Sequence, residues 1–155
     1  MSYQLREMTP ADYDDVLSFW RRQPGVGLNE SDERGPIELY LRRNPGLSQV
    51  VRDDGGRVIA AILCGHDGRR GHLHHLAVDP AHRGRGFGRR LVDECLRRLA
   101  AQGIHKCNAE VFVDNGAGKQ FWLALGRKHR SDLEVVQKVM VELATPRGGA
   151  DDVRP

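Results

Sequence analysis

The stretch from His72 to Gly103 constrains this chain more than any other. A strand-like run, His72 to Val78, passes through Asp79-Pro80 into the loop His82-Arg83-Gly84-Arg85-Gly86-Phe87-Gly88-Arg89 and from there directly into helical periodicity. Leu91, Val92, Cys95, Leu96 and Leu99 recur on one helical face, and Gly103 stands where such a helix ends. The glycines therefore open a helix. The first N–H groups of a helix have no intrahelical partner, and the summed peptide dipoles leave partial positive charge there, a place that suits phosphate oxygens. Gly84, Gly86 and Gly88 let the backbone approach a ligand closely, while Arg83 and Arg85 add charged donors, so the loop reads as an anion cradle.

Three familiar glycine-rich loops can be separated here. A nucleoside-triphosphate loop needs Lys and then Ser or Thr after its last glycine, where this chain has Arg89 and Arg90. A dinucleotide fingerprint needs Gly-x-Gly-x-x-Gly and an acidic residue ending the next strand; the spacing here is Gly-x-Gly-x-Gly, and Glu110 is expected inside a strand continuing through Val113. The third pattern, Arg-x-x-Gly-x-Gly after a strand that ends in Val and is followed by Pro, matches Arg83, Gly86 and Gly88 with Val78 and Pro80 upstream. On these residues the chain resembles the GCN5-related N-acetyltransferase (GNAT) superfamily, whose loop holds the pyrophosphate of acetyl-coenzyme A. The resemblance implies acetyl-coenzyme A as the acyl donor and Arg83, Gly84, Arg85, Gly86, Phe87, Gly88 and Arg89 as cofactor-binding. It also implies that the fourth and fifth strands splay, so that the pantetheine arm pairs with the backbone of Leu76, Ala77 and Val78.

The 155 residues are the size of one domain, and a net charge of +3 argues neither for disorder nor for a dedicated nucleic-acid binder. Met1 to Glu7 has no apolar leader, and no apolar run is long enough to cross a bilayer, so a soluble, cytoplasmic chain is expected. Patterning predicts strands over 3–7, 48–52, 57–66, 72–78, 106–113 and 133–143. Helices are predicted over 10–22, capped by Thr9 with Pro10 at its first position, and over 35–44, after the glycine loop, and 115–125. That order is the superfamily's. It implies a single-domain α/β acyl-coenzyme A N-acyltransferase fold, with a mixed, mainly antiparallel sheet flanked by helices over residues 1–144 and a flexible tail at 145–155.

The histidines of His72-Leu73-His74-His75 carry the candidate chemistry. Strand alternation places His72 and His74 on one face with Leu76 and Val78, and His75 on the other with Leu73 and Ala77. An amine acceptor, with an ordinary pKa of about 10.4 when lysine-like, must lose a proton before it attacks a thioester, and histidine, near 6.5, can take it. The run also resembles the fourth strand of serotonin N-acetyltransferase, which implies His72 as base with His74 second, and the Val78 N–H as the donor to the developing oxyanion. A competing reading sets Cys64, His66, His72 and His74 on one hairpin face as metal ligands, a spacing that fits no common zinc pattern. The three cysteines, Cys64, Cys95 and Cys107, read as reduced structural thiols rather than nucleophiles.

A second segment, Asn115 to Gly126, resembles the superfamily's cofactor-touching Asn-x-x-Ala-x-x-Phe-Tyr-x-x-x-Gly-Phe. Asn115, Phe121 and Gly126 match; Gly118 replaces alanine, Trp122 replaces the tyrosine that protonates the departing thiolate in many members, and Arg127 replaces the last aromatic. Asn115 and Trp122 are cofactor contacts by resemblance; by residue type alone they are a helix N-cap and a core aromatic. The expected function is acetyl transfer to a primary amine by direct attack in a ternary complex, with a catalytically weakened acyl-coenzyme A-binding regulator as the alternative. The resemblance places the acceptor near the first helices, with Trp20, Pro24 to Leu28, Glu30, Asp32, Glu33 and Tyr40 as candidates, and leaves the amine unidentified. No nucleic-acid or membrane partner is expected, and a two-fold homodimer is the default assembly.

Overall fold

In the computed structural model, which describes residues 1–140, a five-stranded sheet organises the first of two units, Met1–Glu110. Its strands, β1 (Tyr3–Glu7), β2 (Gln49–Asp53), β3 (Val58–His66), β4 (Gly71–Val78) and β5 (Cys107–Ala109), lie side by side in that order. β1 to β4 are antiparallel neighbours, and β5 joins β4 in parallel. This is the mixed, mainly antiparallel α/β arrangement that the element order implies.

Three helices belong to this unit: α1 (Tyr13–Arg21), α2 (Arg34–Arg43) and α3 (Phe87–Ala101). The helix expected from Pro10 begins instead as a short 3-10 turn, Pro10–Asp12, because Asp12 folds its carboxylate back onto the Thr9 N–H at 2.8 Å. That carboxylate is buried and also receives Arg6 at 2.6 Å and Arg52 at 2.8 Å, tying the start of α1 to β1 and β2. Val16, Phe19 and Trp20 of α1 and Ile37 and Leu41 of α2 pack with Val50, Ala61 and Leu63 of the sheet and with Ala77. Each large side chain so buried contributes about 1.5–3 kcal/mol. α3 buries Leu91, Val92, Cys95 and Leu99, the stripe that its periodicity predicts.

β4 is not a regular strand. Leu63 pairs with His74 but Ala61 with Ala77, so one extra residue of β4 is accommodated between those pairs. His75 lies in this bulge with φ 54°, the single non-glycine residue at positive φ among the described residues. The bulge reverses the alternation, and the expected faces need correction. Ala77, not Val78, shares the side of His74, and Val78 lies opposite Ala60 on the other side.

Two further expectations are corrected. β5 covers three residues rather than 106–113, so Glu110 lies beyond the strand's end; the dinucleotide reading is set aside by the antiparallel sheet and the glycine spacing instead. In the second unit, from Val111, residues 133–140 form no strand, and Leu133, Val135, Val136 and Met140 are exposed. β-propensity reports packing on a neighbouring strand, and no strand pairs with this stretch among the described residues. The rest of that expected strand and the tail at 145–155 lie outside the described residues. The second unit contains α4 (Gly116–Ala124), close to its expected bounds. Among the described residues no helix is long and apolar enough to cross a membrane.

Candidate functional site

The bulge and the shortness of β5 together create an open edge. β5 meets β4 only from Gly71 to Leu73; from His74 to Val78 no strand pairs with that side of β4 among the described residues. The Asp79 N–H bonds the Ile59 carbonyl at 2.8 Å, so ladder alternation turns the N–H and C=O of Val78 away from β3 and toward the open side. The Val78 carbonyl accepts from Arg83 Nε at 3.2 Å. Leu76, Ala77 and Val78 thus form a strand edge that a strand-like ligand can complete.

The glycine loop adjoins this edge. Asp79 caps a short 3-10 turn, Pro80–His82, and the chain then passes through Gly84 (φ 75°) and Gly86 (φ 82°) into α3. A Cβ at Gly86 would have open space around it, so only its left-handed backbone calls for glycine. The first bond that closes α3 runs from Arg90 N–H to the Gly86 carbonyl at 3.0 Å, which leaves the N–H groups of Phe87, Gly88 and Arg89 ahead of the helical ladder. Phe87 and Gly88 are buried, so what they offer a ligand is backbone. Under the loop the Tyr3 ring meets Phe87 and His82 edge-on, at 4.8 and 5.7 Å, and the Tyr3 hydroxyl accepts from Arg85 at 2.9 Å. Arg89 is exposed, 4.0 Å from Asp93.

His72 and His74 lie together, their rings stacked at 6.0 Å and 13°. Tyr40 approaches His74 edge-on at 6.4 Å, and its buried hydroxyl has no hydrogen-bond partner among the described residues. Gly65, opposite His72, makes room for that hydroxyl: a Cβ there would come within 2.5 Å of it. Burial disfavours the charged form of His74 and the nearby His75 and His72 add to this, so its pKa falls below the ordinary histidine value despite the opposing pull of Glu110. The shift favours the neutral imidazole, the form that can accept a proton.

The metal arrangement fails on register. His66 pairs with Gly71 and Cys64 with Leu73, which places Cys64 on the face opposite His72 and His74. Among the described residues no group of three His, Cys, Asp or Glu side chains is placed to hold a metal. A contact with Cys64, together with burial, pushes the Cys95 thiol well above the usual cysteine range, away from nucleophilic use.

One cluster escaped the sequence reading. His75 Nε2 lies 2.8 Å from the buried Asp32 carboxylate, Trp20 Nε1 donates to the His75 carbonyl at 3.0 Å, and the two rings meet edge-on at 5.1 Å. The Asn29 N–H holds the other Asp32 oxygen at 3.0 Å, and the Tyr13 hydroxyl donates to the Asp32 carbonyl at 2.7 Å. Trp20 and Asp32, expected among the acceptor contacts, are instead buried in this network. Plain alternation turns His75 to the opposite face, and it is the bulge that brings it here.

In the second unit Asn115 caps α4, its Oδ1 accepting from the Gly118 N–H at 2.9 Å, and Trp122 packs edge-on against Phe121 at 5.2 Å. These contacts match what the two residue types do in any helix.

The sequence pattern of the Acetyltransferase (GNAT) family matches residues 13–126. The acetyltransferase YE1169 of Yersinia enterocolitica is 28% identical over 138 residues, which are 89% of this chain and 92% of the relative. The crystal structure of Ard1 from Thermoplasma volcanium shares the fold with a TM-score of 0.69 at 24% identity, over 81% of this chain and 82% of its own. A Clostridium acetobutylicum protein described as a predicted acetyltransferase, solved with acetyl-coenzyme A, does so with a TM-score of 0.70 at 16% identity, over 88% and 96%.

Proposed function

This chain belongs to the Acetyltransferase (GNAT) family, with acetyl-coenzyme A as its acyl donor, and from that premise we propose that it acetylates a primary amine by direct attack within a ternary complex. The observation that carries the proposal is the open half of β4 leading into a glycine loop at the start of α3. The groups present fit the donor: a strand edge at Leu76, Ala77 and Val78 for an extended amide-bearing arm, and free helix-start N–H groups with Arg83, Arg85 and Arg89 nearby for a diphosphate. Once bound, the donor supplies a thioester carbonyl as electrophile.

The chain's own residues do the rest. His72, with His74 stacked on it, takes the proton from the incoming amine, and the Val78 N–H donates to the carbonyl oxygen as that oxygen gains charge. The family resemblance alone assigns Asn115 and Trp122 as further donor contacts. Indole offers only a weakly acidic N–H, so the thiolate leaves without the acid that tyrosine gives related enzymes. That substitution favours the second reading, a weakened enzyme that acts as an acyl-coenzyme A-binding regulator.

A thiol-release assay over a panel of amines, run beside calorimetric titration with acetyl-coenzyme A, separates the two. Direct attack gives sequential kinetics; a ping-pong pattern overturns it. Tight donor binding with no thiol release from any amine selects the regulator. Replacing His72 by alanine lowers kcat about 10²–10⁴-fold, with a smaller loss for His74→Ala, across pH 6 to 9. Wild-type rates in both variants would remove the histidines from the mechanism.

A further inference from the structure

We infer that Asp32, His75 and Trp20 form a clamp that holds the β4 bulge, and with it the open edge up to Val78, in the shape that receives the acyl donor. The inference rests on the donor-binding part of the function proposed above. It begins from backbone strain. A side chain at φ 54° is disfavoured roughly five- to thirtyfold relative to ordinary backbone, so His75 keeps that conformation only where its surroundings impose it.

The surroundings do so from two sides. Trp20 Nε1 fixes the His75 carbonyl at 3.0 Å, and Asp32 fixes the far end of the imidazole at 2.8 Å. Both anchors are themselves immobilised: Trp20 is 1% exposed, and Asp32 is held by the Asn29 N–H and, through its carbonyl, by the Tyr13 hydroxyl. Packing alone would not call for a buried carboxylate on a histidine.

The register shows what the bulge accomplishes. Continuing from the Leu63–His74 pair without the extra residue would set Val78 opposite Ile59, whose carbonyl faces β4 and now accepts from Asp79. The Val78 N–H would then be used up within the sheet. With the bulge in place it faces the open side. His75 is in this sense a positioning residue, acting on the donor site through the backbone.

The test compares acetyl-coenzyme A affinity by calorimetry with amide hydrogen exchange at Asp79 in the free protein. His75→Ala and Asp32→Ala weaken the donor about tenfold and speed that exchange. His75→Gly adopts the left-handed backbone without strain and recovers most of the affinity, although it lacks the ring. Should Asp32→Ala fail to fold, Asp32→Asn and Trp20→Phe, which keep the packing, carry the comparison. Failure of the wild-type protein to bind acetyl-coenzyme A overturns the function proposed above. Wild-type binding together with unchanged affinity and exchange in His75→Ala and Asp32→Asn overturns the clamp, as does a His75→Gly variant weaker than His75→Ala.

Discussion

From Gly71 to Leu73, β4 is paired on both sides, to β3 and to β5; from His74 to Val78 it keeps β3 and has no strand on its other flank among the described residues. The first half closes its hydrogen bonds inside the protein and buries Leu73 to 3% exposure, as core strands do. The second half leaves backbone groups directed outward and runs into a glycine loop whose amides are likewise outside any ladder. A single strand thus serves as scaffold over its first half and, on the function proposed above, as binding surface over the rest, with His72 and His74 at the boundary. The lesson is that the site is made less by special side chains than by where pairing stops.

Proline, which removes one N–H, is the sharpest probe of that contrast. Leu73→Pro takes an N–H from the doubly paired half and is expected to cost about 3 kcal/mol or more, enough to prevent folding in a small protein. Val78→Pro takes an N–H that β3 does not use, so the protein folds with a near-normal melting temperature while kcat falls about 10²–10³-fold through loss of the oxyanion donor. Equal destabilisation of the two variants in thermal melts would erase the distinction between the halves.

The other end of the sheet offers a second comparison, because there the polar groups are satisfied by one another. Burial pushes the Asp12 carboxyl upward, but hydrogen bonds from Arg6, the Thr9 N–H and Arg52 outweigh it and leave the pKa well below the usual aspartate range. A carboxyl lowered in the folded state stabilises the protein above its unfolded value, near 3.9, and loses that contribution as pH falls toward the folded value. Asp12→Asn should therefore cost about 2–3 kcal/mol at pH 7, and the gap from the wild type should narrow in urea titrations at pH 3. A gap that is constant with pH would show that the charge of Asp12 is not what counts.

Gly86→Ala gives the smallest effect and addresses the loop alone. Nothing crowds a Cβ there, so the change acts only through the left-handed backbone, and donor affinity should weaken roughly five- to thirtyfold while kcat at saturating donor holds. A variant with wild-type KM for acetyl-coenzyme A would show that the loop need not be preset.

The sequence made the helices and the paired strands legible because burial leaves a periodic trace: Val16 and Trp20 in α1, and Leu91, Cys95 and Leu99 in α3, recur as a single-sided helix requires. The loop was legible for a different reason, since three glycines and two arginines after a strand have few other uses. The bulge was not. His75 carries no glycine-like signature for its positive φ, and what holds it there, Asp32 and Trp20, lies 43 and 55 residues away in the chain. The length of β5 and the absence of strand over 133–140 were illegible for a related reason. Apolar alternation records a tendency to pair, whereas pairing depends on a neighbour that composition does not encode.

The flank of β4 from His74 to Val78, unpaired by any strand among the described residues, carries a consequence for handling as well as for the function proposed above. Main-chain amides in extended conformation with no strand partner are what stray polypeptide segments zip onto, and unpaired strand edges are where clumping begins. A cosubstrate lying along that flank would act as a sheath as much as a reactant, so stocks kept with coenzyme in the buffer should outlast those stored without it.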